Sequence, residues 1–215
     1  MMKSTTFLLL LALSLVSCGK SGSSSSDTAA EVSEINLSED DVQAPTVPDA
    51  AITFKTNIDL MNLTSSQENK MERAIEVVKM VVVTEEFRSK ILNHKYKGKK
   101  TFVDNGGLTN AQIYKKILEG AETLSPAKNN RMDMEVEMYS ASNNVVGYTY
   151  PNSKRIWVNT KFFNSYTPAG VAHNLVHEWL HKLGFKHSAS ANAARPYSVP
   201  YAIGYIVMEM GKDFL

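Results

Sequence analysis

Four of the five histidines fall within residues 173–187, at His173, His177, His181 and His187. If this stretch is helical, His177 and His181 stand one above the other on a single face, where two imidazoles can share one metal ion. Glu178 follows His177, rotated about 100° around the helix axis. Its carboxylate then lies beside a metal-held water rather than on the metal, the position of a general base. His173 sits one turn earlier, about 6 Å along the axis from His177. A tetrahedral catalytic site takes three protein ligands and a water, so His173 is read as a partly exposed or hydrogen-bonded histidine.

The flanking residues support a helix of the right length. Thr167 is a suitable N-cap with Pro168 at the first helical position, and Gly184 is suited to end the helix at C′. The run reads His177-Glu178-Trp179-Leu180-His181-Lys182-Leu183-Gly184-Phe185-Lys186-His187. A left-handed glycine at 184 turns the chain sharply, so that His187 swings back as a third ligand. HExxH alone arises by chance in roughly one 200-residue chain in several hundred, from ordinary residue frequencies. The added glycine and histidine lower that expectation by a further factor of about 700. Trp179 and Leu180 are assigned to the packed back of the helix.

This HExxHxxGxxH pattern resembles that of the zinc peptidases called metzincins, and the likeness is specific over about residues 145–187. The resemblance implies a Zn²⁺ ion held by His177, His181 and His187, a polypeptide substrate, and Glu178 as the base that activates water. It further implies that the strand before the active-site helix forms the cleft rim, for which Val145–Tyr150 is the candidate. The family also carries a methionine turn under the metal. Here Tyr197-Ser198-Val199-Pro200-Tyr201 has proline in that place, while Met208 and Met210 lie in a stretch that reads as helix. Tyr201 is a candidate oxyanion donor, with Tyr205 behind it. Glu209 is the alternative third ligand if the chain instead follows the zinc-peptidase class with a distal glutamate.

Around the motif, periodicity reads as an α/β or α+β domain over residues 51–215, expected as a minimal metzincin-like fold. That means a twisted mixed sheet backed by helices, with a very small C-terminal subdomain, because only 28 residues follow His187. Strands are expected at Ile52–Ile58, Thr101–Val103, Met132–Met138, Val145–Tyr150 and Ile156–Asn159, with Pro151–Arg155 as a hairpin loop. Helices are expected from an N-cap at Ser65, whose apolar residues include Met71, Ile75, Val78 and Val82, from Thr84 to about Asn93, and from Thr109 to about Gly120. Asn105-Gly106-Gly107 is a turn, and the Lys95–Lys100 cluster is read as a solvated loop.

The N-terminus is of a different kind. Lys3 precedes an apolar run from Phe7 to Val16, too short to span a bilayer, for which about 20 residues are needed. Leu15-Val16-Ser17-Cys18 resembles the bacterial lipobox, which implies a signal peptide over 1–17 and lipidation of Cys18. Gly19 follows, without the aspartate that favours inner-membrane retention, so an outer-membrane or periplasmic-face anchor is expected. Residues 18–50 form a Ser-rich acidic tether: positions 21–50 carry seven acidic residues and no basic ones. Such a composition cannot bury enough apolar area to offset its ordering entropy. With one cysteine in 215 residues, an intramolecular disulfide and a thiolate-rich metal site are both excluded. Residues 51–215 hold 21 Lys+Arg against 15 Asp+Glu, a mild, scattered excess that does not indicate nucleic-acid binding. Two readings of other classes remain open from residues alone: a zinc-stabilised, non-catalytic binding or adhesion lipoprotein, and a peptidase of cell-wall cross-links.

Overall fold

The alternation of Met132, Met134, Val136 and Met138 with charged residues gives strand β4 (Arg131–Tyr139), an inner strand of the sheet, one buried face. Its methionine face is buried, while Glu135 and Glu137 point the other way. The computed structural model describes residues 52–214. The signal segment, Cys18 and the tether lie outside the described residues. Beside β4 run the parallel strands β1 (Lys55–Met61) and β6 (Arg155–Asn159), and β5 (Gly147–Thr149) closes the sheet antiparallel to β6. The strand order is β1-β4-β6-β5, so β5 is an edge.

Of the six α-helices among the described residues, five alternate with or follow these strands as expected: α1 (Ser65–Val82), α2 (Glu85–Leu92), α3 (Asn110–Glu119), α5 (Pro168–Lys182) and α6 (Val199–Gly211). A short α4 (Thr160–Ser165) was not anticipated. It follows β6 directly because the Asn159 side chain accepts from Lys161 N–H at 3.1 Å and caps it. The fully buried Asn159 amide also donates to the carbonyls of Ala141 and Val145, tying down the loop that leads into β5. Apolar faces of α1, α5 and α6 share one core with the methionine face of the sheet. The expected small C-terminal part is thus α6, flanked by one-turn 3₁₀ helices at Arg195–Tyr197 and Lys212–Phe214.

Four local expectations require correction, the first being that the strand expected at Ile52–Ile58 is Lys55–Met61. The N-cap of α1 is Thr64 rather than Ser65, because Thr64 and Gln67 complete a reciprocal capping box one residue earlier. Thr101–Val103 is not a strand. Only Val103 makes an isolated bridge, to Ser198. A two-residue hairpin forms just before it, β2 (Lys95–Tyr96) with β3 (Lys99–Lys100), inside the lysine cluster read as a loop. Its turn residues Lys97 and Gly98 both have positive φ, 48° and 81°, the twist that two-residue hairpins require.

Candidate metal centre

Helix α5 begins as its sequence indicates. Thr167 accepts from Gly170 N–H at 3.2 Å, and Pro168 fills the first position. It ends in a Schellman turn: Phe185 N–H donates to Leu180 C=O and Gly184 N–H to His181 C=O, both at 3.0 Å. Gly184 has φ 91°, a conformation that a side chain would strain. That turn does two things for the site. It reverses the chain so that His187 faces His177, with their Nε2 atoms 3.1 Å apart. It also presents Phe185 C=O to His181, whose Nδ1 lies 2.8 Å away.

The three histidines meet a metal's requirements. Their ligand atoms lie within 4.8 Å of one another, and among the described residues they are the group of His, Cys, Asp or Glu side chains able to hold an ion. Tetrahedral zinc with nitrogens at about 2.0–2.1 Å sets them about 3.3 Å apart, close to the His177–His187 separation. His181 and His187 each direct Nδ1 to a backbone carbonyl, Phe185 O at 2.8 Å and Ser188 O at 2.9 Å. A carbonyl accepts only, so Nδ1 carries the proton and each Nε2 lone pair is free to face the ion. Burial and the neighbouring imidazoles hold His177 well below the usual histidine range, and burial lowers His181. Neutral imidazoles, the form that binds metal, are therefore favoured. Three histidines that can bind a metal ion are thus brought together.

Glu178 lines the same cleft, of about 1060 Å³, and is 4 % exposed. Burial pushes its carboxyl up to about 7, opposed by the Lys182 ammonium one turn on, and no hydrogen bond offsets the loss of water. A proton affinity near neutrality suits a group that must take and return a proton. Tyr201 stands against the triad, its ring 4.5 Å from that of His177 and 4.8 Å from that of His187. Arg195 donates to its hydroxyl and lies 4.8 Å over its ring.

Other candidates fall elsewhere. His173 is outside the triad. It packs on Tyr205, ring centroids 4.6 Å apart, and burial lowers it to about 4. Gly204 permits that packing, since a Cβ there would stand 2.5 Å from His173 Cδ2. Glu209 is exposed on α6, 3.7 Å from Lys90, and no part of the metal-capable cluster. Tyr197–Tyr201 is not a turn under the metal: Ser198 is the N-cap of α6, and Val199 and Pro200 are its first residues. Met210 is core and Met208 borders the cleft, both within α6. Trp179 and Leu180 are fully buried on the back of α5, as expected.

Three residues that hold the site together were not singled out from the sequence. Glu122, 3 % exposed, accepts from Trp179 Nε1 at 2.7 Å and from Asp133 N–H at 3.0 Å, clamping α5 to the start of β4. Lys182, 6 % exposed, donates to Thr149 Oγ1 and to the carbonyls of Ser153 (2.6 Å) and Arg155 (2.8 Å). It thereby pins the β5–β6 hairpin to α5 and sets β5 along the cleft, where Gly147 and Tyr148 form part of the wall. A lysine on the buried face of a helix, four residues after Glu178, was the available hint. Arg195 is the third, brought to Tyr201 by the return of the chain. No protein-family model matches this sequence, and no curated protein is similar enough to count as a relative.

Proposed function

We propose that the protein is a zinc-dependent endopeptidase of minimal metzincin type. The observation that carries this reading is the pairing of an open three-histidine cluster with a buried, unpaired carboxylate in one cleft. A purely structural zinc would be closed by a fourth protein ligand and would have no use for Glu178. The edge position of β5 along the cleft also supports it, because an extended peptide can pair with a free strand edge.

His177, His181 and His187 would hold the ion. When bound, Zn²⁺ supplies a Lewis acid for the scissile carbonyl and lowers the pKa of water in the site. Glu178 accepts a proton from the attacking water as the new C–O bond forms, then delivers it to the leaving nitrogen as the C–N bond breaks. Tyr201, its oxygen already accepting from Arg195, keeps its own hydroxyl proton to donate toward the carbonyl oxygen. Full-length protein incubated with zinc and a mixed library of unfolded proteins should generate new cleavage sites by mass spectrometry, and a chelator should abolish them. A library left intact, with zinc bound stoichiometrically, would favour the non-catalytic binding reading.

The same proposal places the enzyme on the bacterial envelope through lipid on Cys18. Among the described residues, no helix is long and apolar enough to cross a membrane. Cys18→Ala should abolish lipid labelling and shift the chain out of the detergent phase. Unchanged partitioning and mature mass would remove the anchor.

A further inference from the structure

Arg195 is a cation in the wall of the cleft that no acid among the described residues neutralises. Its guanidinium donates to the Tyr201 hydroxyl and lies 3.5 Å from Ala189 C=O, a marginal contact. Its Nε is buried without a partner. Among the described residues, no carboxylate comes within ion-pair distance of it, although nine other ion pairs form. A partly buried guanidinium with unused donors is costly unless something accepts from it. The other charges of the cleft point the same way. Lys154 and Lys186 are exposed along it, whereas its acidic residues Glu122, Asp133 and Glu178 are all buried. Glu122 is held by Trp179, and Asp133 by Arg131 at 2.7 Å. The accessible charge of the cleft is therefore positive.

We infer that Arg195 binds a carboxylate of the substrate, so that the cleft selects peptides carrying an acidic group next to the triad. The planar guanidinium accepts a carboxylate with paired hydrogen bonds. Its place beside Tyr201, which itself touches His177 and His187, sets that carboxylate close to the scissile bond. The group is either an Asp or Glu side chain or the free C-terminus of the peptide. This inference rests on the peptidase reading for the word substrate, but its test needs no turnover.

The test uses full-length, zinc-loaded Glu178→Gln protein and fluorescence anisotropy. Four labelled peptides of one sequence cross an internal Glu or Gln with a free or amidated C-terminus. With Arg195 present, at least one carboxylate form should bind about tenfold or more tighter than the amidated Gln form, and the pattern names the source of the carboxylate. Arg195→Met should remove that difference in a protein that still folds and holds zinc. Equal affinity of all four peptides for the Arg195-containing protein, including no binding of any, overturns the inference without requiring any variant at position 195. So does uniform weakening in a folded, zinc-loaded Arg195→Met. Carboxylate-selective binding together with an uncleaved protein library would keep this inference and refute the peptidase reading instead.

Discussion

Glu178→Gln should retain stoichiometric zinc and the native melting transition, yet lose at least about a hundredfold in hydrolysis rate. The amide keeps the size and hydrogen-bonding capacity of the carboxylate but cannot accept the proton of the attacking water. General-base assistance is typically worth 10²–10⁴-fold, about 3–5 kcal/mol of barrier. Stability should be little changed, because the carboxylate is buried without a hydrogen bond to lose and burial already disfavours its charge. Metal content, a thermal melt and a cleavage rate on one preparation decide the matter. Loss of zinc would make Glu178 a ligand, and an unchanged, chelator-sensitive rate would show that the proton goes elsewhere.

The second large effect is expected at the proposed third ligand. His187→Ala should lower zinc affinity by more than about a hundredfold, the upper end of what losing only a hydrogen-bond partner of a metal ligand costs, and abolish hydrolysis with it. Its Nε2 lies 3.1 Å from that of His177, and its tautomer is set by Ser188 C=O. Removing it leaves two histidines on α5 and no nearby replacement within the described residues. His173→Ala should keep both metal and activity, since His173 packs on Tyr205 outside the cluster. Zinc titration with a competing chelator measures both. Retained zinc in His187→Ala together with its loss in Glu209→Ala would overturn the assignment, although Glu209 is exposed beside Lys90.

The histidine pair and the turn after it were legible because each depends on local geometry. His177 and His181 share a face by helical spacing, and the ends of α5 are set by Thr167, Pro168 and Gly184 within a few residues of where they act. Even His187 was within reach of such reasoning, since one left-handed glycine decides where the next three residues go. The methionine strand and the capped helices belong to the same class. One-residue errors such as Ser65 for Thr64 arise where two capping boxes overlap in register. The missed β2–β3 hairpin shows the limit of reading a lysine run by its charge, because its turn is made by backbone conformation at Lys97 and Gly98.

Strand order and long-range partners were decided only in three dimensions. Nothing in Gly147-Tyr148-Thr149 states that it is an edge strand. That follows from its pairing with β6 alone among the described residues, at the end of the strand order. Lys182 reads as one more helix lysine until the fold brings Thr149 and Ser153, about thirty residues earlier, to its ammonium. Glu122 is a loop carboxylate until Trp179, 57 residues on, donates to it. Arg195 and Tyr201 reach the triad only because α6 folds back onto α5, which Gly204 permits by carrying no side chain where His173 lies. The sequence by itself determined which three histidines come together and that Glu178 lies beside them, because helical spacing and a glycine turn act over a few residues. The tertiary structure decided what surrounds them, because burial and charge pairing depend on which distant segments share the core.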